Sequence, residues 1–344
     1  MTALIFFGGI FMKWKSVCCA VQGRRHKKNN IPCQDKVARR EEGAVNVIAL
    51  ADGAGSATFS HFGAECVVNR MSAFVADRFF DLIEEADGKK VKQEILAVIL
   101  RALNVEAELR ECSLKDLAST LLLAAVSEEN FLLIHLGDGV IGYLNDEGLK
   151  TVSAPDNGEF SNETFFTTSS DAIVHLRIYK GAIKNISGFI LMSDGTEQSL
   201  YNKRKKTLAA GVKRLLHRTC LIDSEVLQIQ LDDALNSVVA ENTQDDCSIA
   251  LLARTSEQLP PLEKLSLQER QEIFQINEGS NFKKVHRKIF SRDKLCELLK
   301  TPMTIRQLAR KLYMKKMHAK KKLTPLLTTG IITEVDGVYK IYSE

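Results

Sequence analysis

The chain has 344 residues, of which 45% are hydrophobic and 26% are charged, and its net charge is +4. These values are typical of a globular protein with one large or two unequal domains, and the charge is too small to indicate a partner. The eight cysteines include no CxxC pair, so the sequence favours buried free thiols in a reducing compartment over a zinc site.

The N-terminus is apolar and uncharged over residues 1–12. It lacks the basic segment and the clear cleavage site of a signal peptide, and it is too short to cross a bilayer. We therefore expect residues 1–14 to be an N-terminal extension, with either Met1 or Met12 as the true start. We expect a cytoplasmic protein.

Short apolar runs alternate with helical stretches between residues 15 and 254. Runs rich in Val, Ile, Leu and Phe predict strands at Ser16–Val21, Ala44–Ala51, Thr120–Val126, Phe131–Leu136, Val140–Leu144, Ile173–Tyr179, Gly188–Met192 and Ser248–Ala253. Apolar residues three and four apart predict helices at Gly63–Glu85, Val91–Cys112, Lys206–Leu221 and Ser224–Glu241. Grouped strands and paired helices favour an α+β layered domain.

Two consecutive prolines and mixed charge predict a linker over residues 255–270. From residue 255 to the last residue, 18 Lys and Arg stand against 10 Asp and Glu, a net charge of +8. The rest of the chain therefore carries 4 − 8 = −4. We predict two domains of opposite charge, at residues 15–254 and 271–344.

The basic domain reads as three helices and a hairpin: Asp293–Lys300, Thr304–Leu312, Met317–Leu327 and Gly330–Ile341. We expect Thr304 to cap the second helix and an Asp-Gly pair to form the hairpin turn. This order resembles a winged helix-turn-helix. The third helix is crowded by Lys315, Lys316, Lys320, Lys321 and Lys322. That face could meet a DNA backbone, or it could be a solvated face of a protein-docking or dimerising module.

Acidic residues recur at the ends of predicted strands. Asp52, Asp138 and Asp194 each follow a buried strand and precede a glycine, and Asp245 precedes the last strand. Carboxylates brought together repel one another unless cations lie between them. Oxygen ligands without clustered His or Cys suit Mg²⁺ and Mn²⁺. One Asp-Gly pair alone would indicate a turn, but the set together predicts a metal cluster.

The motifs over residues 15–254 resemble those of the type 2C metal-dependent serine/threonine protein phosphatases (the PPM family). The most similar variant is a bacterial branch marked by Pro-Cys-Gln-Asp and Ala-Asp-Gly-Ala-Gly-Ser. The motifs occur in family order and spacing: Pro32–Asp35, Ala51–Ser56, Ser119–Leu122, Leu136–Gly139, Gly158–Thr164, Met192–Gly195 and Asp245–Ser248.

The resemblance implies a β-sandwich with helices on both outer faces, and two divalent ions, either Mn²⁺ or Mg²⁺. Asp52 would bridge the two ions, and the carbonyl of Gly53 would bind one of them. Asp194 and Asp245 would complete the coordination of one ion. Asp138 with Asp194 would hold a third, weaker ion.

The resemblance also implies a reaction. A hydroxide that bridges the two ions would attack phosphorus in line, and Asp35 would orient metal-bound water. The implied function is hydrolysis of phosphoserine and phosphothreonine in a phosphorylated protein substrate, with a cognate serine/threonine kinase as its counterpart. The sequence contains no CxxxxxR loop, so a cysteine-phosphate route has no support.

Two positions depart from the family pattern. Ala54 stands where many members carry a histidine thought to protonate the leaving oxygen, which leaves His26, His61 or a metal-bound water as the acid. Asn30 stands at the position of the phosphate-binding arginine. Arg25 or His26 could take that role, and a solvated basic turn is the alternative reading.

Two other functions remain open from the sequence. A pseudophosphatase that recognises phosphoproteins with poor turnover would fit Ala54, whereas the retained aspartates favour an enzyme. A DNA-associated regulator would fit the basic domain. Residues 157–168 fall where the family has a mobile flap, and Phe160, Phe165 and Phe166 would either grip substrate there or pack into the core.

Overall fold

The computed structural model describes residues 13–155, 164–222, 224–255, 267, 270–271, 274, 276, 282–328 and 331–341. The N-terminal extension up to residue 12, most of the predicted linker and the middle of the predicted flap lie outside the described residues. The chain forms two compact units, one made of Ser16–Thr219 with Ser224–Ala253 and the other containing Arg254–Glu344. No described helix combines the length and the hydropathy needed to cross a membrane.

The strands of the first unit are β1 (Lys13–Val21), β2 (Lys36–Glu42), β3 (Val45–Ala51), β4 (Leu121–Val126), β5 (Asn130–Leu136), β6 (Val140–Asn145), β7 (Gly148–Ser153), β8 (Arg177–Ala182), β9 (Ile186–Met192), β10 (Tyr201–Asn202), β11 (Thr207–Leu208) and β12 (Cys247–Thr255). Its helices are α1 (Arg24–Asn29), α2 (Ser60–Glu84), α3 (Gly88–Leu109), α4 (Ala172–His175), α5 (Asp194–Leu200), α6 (Ala210–Leu221) and α7 (Ser224–Ala234).

Two five-stranded sheets form the sandwich, in the orders β1-β12-β9-β6-β7 and β2-β3-β4-β5-β8. Helix α2 packs across β2, β3 and β4, and α3 packs on α2. On the other sheet, Leu216 of α6 lies against Gly188 of β9. The expected β-sandwich with helices on both outer faces is therefore confirmed.

The continuous apolar strands are explained by burial on two faces. Val47 and Ala49 of β3 belong to the core cluster shared with α2 and α3. Their neighbours Ile48 and Leu50 are also fully buried, and the period of two turns them toward the opposite face. A strand covered on both sides needs apolar residues at every position, which is why the sequence shows runs without alternation.

Several element predictions were wrong in detail. The strand predicted at Ile173–Tyr179 is the helix α4 followed by β8, because pairing with β5 begins only at Arg177. The helix predicted from Lys206 begins at Ala210, after the β10–β11 hairpin. Strand β2 was missed because Lys36–Glu42 is mostly polar, although it pairs with β3 along its whole length.

The second unit contains α8 (Phe282–Leu299), β13 (Met303–Thr304), α9 (Ile305–Lys311), α10 (Lys316–Thr328), β14 (Ile332–Val335) and β15 (Val338–Ile341). The first helix starts eleven residues earlier than Asp293, where the sequence suggested its start. The cap is confirmed, since the Gln307 backbone N–H donates to the Thr304 hydroxyl at 3.4 Å. Three strands in the order β13-β15-β14 complete the unit, and its winged-helix identity stays a prediction.

Candidate active site

Asp52 follows the last residue of β3, next to Thr120, which precedes the first residue of β4. The Asp52 backbone N–H donates to the Thr120 hydroxyl at 2.8 Å, and the Thr120 N–H donates to the Asp52 carbonyl at 2.8 Å. The Gly53 N–H donates to the Gln34 carbonyl at 3.2 Å. These bonds fix Asp52 and Gly53 at the end of the sheet, beside the segment that carries Asp35.

The second sheet brings carboxylates to the same end of the sandwich. Met192, the last residue of β9, pairs with Val140 of β6 and with Ile249 of β12. Residues just outside these paired positions therefore lie at one edge. They include three of the predicted site residues: Asp138, Asp194 and Asp245.

The glycine after Asp194 is required by a close backbone approach. A Cβ atom on Gly195 would overlap the carbonyl oxygen of Asp246, and one on Gly53 would lie 2.9 Å from Ser60. Neither glycine has a positive φ angle. Their role is thus close packing of neighbouring backbone, and a sharp turn is not what requires them.

The pKa of Asp52 shows that these carboxylates share one electrostatic environment. Burial is the main cause that raises the pKa of Asp52 well above its usual range. Neighbouring negative charges add to the rise, in the order Asp35, Asp194, Asp138 and Asp245. Asp52 therefore lies within electrostatic reach of the other four predicted acidic site residues.

Asp35 and Asp194 are also shifted. Burial raises the pKa of Asp35 from 3.8 to about 7, with the charges of Asp246 and Asp194 adding to the rise and the hydroxyls of Ser248 and Ser193 opposing it. Burial, followed by the charges of Asp138 and Asp245, raises the pKa of Asp194 from 3.8 to about 7. A bound cation would reverse both shifts, because it favours the charged carboxylates.

The donor set fits divalent ions that keep part of their water. Among the described residues, Oδ1 of Asp194 is buried and accepts no hydrogen bond. Within the same described ranges, no three His, Cys, Asp or Glu side chains come close enough to hold an ion by themselves. Mg²⁺ is usually bound by one or two carboxylates while it keeps several waters, so this looser arrangement suits it.

His26 lies in the interior and contacts a second buried acid. Its Nδ1 atom is 2.9 Å from Oδ1 of Asp246, and both side chains are almost fully buried. The carboxylate of Asp246 also accepts the backbone N–H of Gly23 and of Gln34, each at 2.6 Å. Asp246 therefore anchors the segment that carries Asp35. The sequence grouped Asp246 with Asp245, and no local signal separates their roles.

The two arginines at the start of α1 contact different parts of the chain. Nε of Arg24 donates to the Thr243 carbonyl at 3.1 Å, and its Nη1 lies 3.9 Å from Glu241. Nη2 of Arg25 lies 3.8 Å from the position that a Cβ on Gly55 would occupy. Arg25 thus reaches the loop that follows Asp52, whereas Arg24 is held elsewhere.

The position of Ala54 offers no acid. Ala54 is buried, and its apolar cluster consists of Ala57, Ala118 and Phe166. Of the candidate acids, His61 has its pKa lowered by burial, with Lys36 and Arg110 adding to the effect. A lowered pKa leaves the imidazole neutral at pH 7, which weakens His61 as a proton donor.

The described part of the predicted flap contacts Asp138 through Thr164. The Thr164 hydroxyl donates to Oδ2 of Asp138 at 2.7 Å, a contact that the sequence did not indicate. Phe165 stacks on His175, and Phe166 packs beside Ala54. Phe160 lies outside the described residues. The two described phenylalanines are half-buried and pack against core residues, as the second of the two alternatives from the sequence predicted.

A buried ion pair lies beside Asp194 and was also missed. Glu197 follows Asp194 by three residues on α5, its side chain has no exposed surface, and Lys203 forms an ion pair with it. Burial raises the pKa of Glu197, and the hydrogen bond and charge of Lys203 oppose this rise. The only sequence signal was a run of four basic residues that starts at Lys203.

Comparisons with known proteins identify the family and agree with the fold. Residues 22–236 match the family described as Protein phosphatase 2C. The chain is 26% identical over 264 residues to Serine/threonine-protein phosphatase 3 of Escherichia coli (strain K12), covering 70% of this chain and 98% of that protein.

Solved structures share the fold. A bacterial serine phosphatase aligns with a TM-score of 0.52 and 15% identity, over 72% of this chain and 100% of that one. The serine/threonine phosphatase Stp1 from Staphylococcus aureus aligns with a TM-score of 0.51 and 15% identity, over 70% and 95% of the two chains. The chain therefore belongs to the protein phosphatase 2C family, whose members are metal-dependent serine/threonine protein phosphatases. The resemblance of the motifs is confirmed.

The shifted carboxylates predict how stability depends on pH when a chelator is present. Between about pH 4 and pH 7 the folded chain holds protons on Asp35 and Asp194 that the unfolded chain has lost. Their contribution to the free energy of unfolding therefore falls as pH rises through this window. In EDTA, the Asp35→Asn, Asp194→Asn double variant should gain stability relative to the wild type as the pH rises from 5 to 8, measured by urea unfolding.

The effect of added Mg²⁺ on the urea midpoint is the matched measurement. Mg²⁺ should raise the urea midpoint of the wild type more at pH 8 than at pH 5, because protons compete with the ion for the carboxylates. The double variant should respond weakly at both values. A wild type that gains stability relative to the variant between pH 5 and pH 8 in EDTA would contradict this account.

Proposed function

We propose that this chain hydrolyses phosphoserine and phosphothreonine in proteins with the help of divalent cations. The observation that carries the proposal is the convergence of aspartates from both sheets at one end of the sandwich, in a chain of the protein phosphatase 2C family. When bound, Mn²⁺ or Mg²⁺ would supply an activated water and offset the charge of the phosphoryl group.

We assign the roles of the chain's own residues as follows. The ligands for the ions are the carboxylates of Asp52, Asp138, Asp194 and Asp245 and the carbonyl of Gly53. Asp35 orients the attacking water through its carboxylate. Arg25 binds the phosphate oxygens, since its guanidinium reaches the loop after Asp52. His26 supports the site through its contact with Asp246.

Loss of one proposed ligand should abolish turnover without unfolding the chain. We expect Asp52→Ala or Asp245→Ala to lower kcat on p-nitrophenyl phosphate by at least about 10³-fold, because a cation site is lost. Circular dichroism should show that both variants remain folded. Activity of the wild type that survives exhaustive chelation would contradict the proposal, and metal binding without turnover would favour the pseudophosphatase.

The proposed role of Arg25 can be tested against its neighbour. Arg25→Ala should lower kcat/KM by roughly 10–100-fold, because a charge-assisted hydrogen bond to phosphate contributes about 1.5–3 kcal/mol. Arg24→Ala is the matched control and should stay within about twofold of the wild type, since Arg24 contacts Thr243 and Glu241. Equal losses in both variants would instead indicate a general effect of positive charge.

We further propose that the second unit recruits a protein partner. The basic face of α10 carries exposed Lys316, Lys320 and Lys321. Such a face fits an acidic protein surface, and a DNA backbone is the alternative. Proposed metal ligands all lie before Arg254, so recruitment and chemistry would be divided between the units.

Truncation after Thr255 tests this division. The shortened chain should keep its activity on p-nitrophenyl phosphate but lose activity on its phosphoprotein substrate, because docking raises the local substrate concentration. Changing Lys320, Lys321 and Lys322 to Glu should have the same selective effect. If the shortened chain is folded but inactive on the small ester, the division is wrong, and salt-dependent binding of duplex DNA by the full chain would favour the DNA alternative.

A further inference from the structure

The hairpin between α5 and α6 holds four consecutive cations in a fixed position. Its turn is made of Lys203, Arg204, Lys205 and Lys206, which we call the basic turn, and all four are exposed. The Thr151 hydroxyl donates to the Lys206 carbonyl at 3.1 Å, and the Lys205 N–H donates to the Asn202 side chain at 2.9 Å. Leu208 packs over Gly142 of β6. The hairpin is therefore attached to the sheet that carries Asp194.

The ion pair inside the unit brings the basic turn to the edge of the site. Lys203 is bound to Glu197, and Glu197 lies one helical turn from Asp194 on α5. The charges of Asp194 and Asp138 also reach Lys203, where they add to the effect of Glu197 and raise the pKa of the ammonium group. The first residue of the turn is thus coupled to two of the proposed ligands.

The other three cations remain available to a partner. Within the described parts of the chain, Arg204, Lys205 and Lys206 form no ion pair. Their backbone is held by the bonds to Asn202 and Thr151, so little ordering is needed when a partner binds. Positive charge at the rim of a cleft attracts acidic groups and repels basic ones.

We propose that the basic turn selects phosphoproteins that carry acidic side chains close to the phosphorylated residue. This inference rests on the proposed phosphatase function and adds the class of substrate sequence. The occupant is an acidic peptide segment, because the turn offers guanidinium and ammonium groups and few apolar side chains. Lys203 is already neutralised by Glu197, which leaves Arg204, Lys205 and Lys206 as the groups that contact the peptide.

The test uses the full chain and two phosphothreonine peptides of equal length, one with Glu and one with Lys around the phosphorylated residue. We expect kcat/KM for the Glu peptide to exceed that for the Lys peptide by at least about fivefold at low salt. The ratio should shrink as ionic strength rises, because exposed charges are screened. The Arg204→Glu, Lys205→Glu double variant should bring the ratio to one or below, mainly through KM.

A matched variant controls for net charge. Lys89→Glu with Arg101→Glu makes the same change in charge on α3, which packs outside the other sheet, and should keep the wild-type ratio. A wild type that hydrolyses p-nitrophenyl phosphate without any preference between the peptides overturns the inference alone. The same holds if the preference survives in the Arg204, Lys205 variant or is lost equally in the control. Failure to hydrolyse p-nitrophenyl phosphate would overturn the proposed function itself.

Discussion

Four aspartates from different strand ends repel one another where the two sheets meet, and the sandwich holds them there. The cost appears in the pKa of Asp52, which burial and the neighbouring carboxylates raise well above its usual range. A flexible chain would separate such charges. Here β3 and β4 are fully buried, and the reciprocal bonds with Thr120 hold the backbone of Asp52 at the end of the sheet. The stability of the core thus offsets a repulsion that bound protons or bound cations would relieve.

Asp245 and Asp246 are adjacent in the chain but make different interactions. The carboxylate of Asp246 accepts two backbone N–H groups at 2.6 Å and lies 2.9 Å from His26, so its charge is fully engaged by the chain. Asp245, one residue earlier, adds its charge to the rise in the pKa of Asp52 and of Asp194. One acid closes the loops around the site, and the other is a proposed ligand for an ion. The close contact of Gly195 with the Asp246 backbone holds the two strand ends together.

The sequence pointed to the proposed ligands because its signals are local. An apolar run that ends in Asp-Gly predicts both a strand and the point where the strand ends. The strands predicted before Asp52, Asp138 and Asp194 do end there. The contacts that hold the segments around the site together are not local in the sequence. Gly23 and Asp246 are 223 positions apart, and nothing in either segment indicates the contact. Strand β2 was missed for a related reason, since a polar edge strand is defined by its neighbour β3 and not by its own pattern.

Two fixed positive charges lie beside the aspartates. Arg25 reaches the loop after Asp52 on one side, and Lys203 is coupled to Asp194 and Asp138 on the other. Neither side chain enters the aspartate cluster, because Arg25 is an exposed residue of α1 and Lys203 is bound by Glu197. A lysine within the cluster would neutralise the carboxylates permanently and exclude a divalent ion. Under the proposed function, fixed cations beside the aspartates and exchangeable cations between them would let one site keep its metal affinity while it attracts a dianionic phosphate.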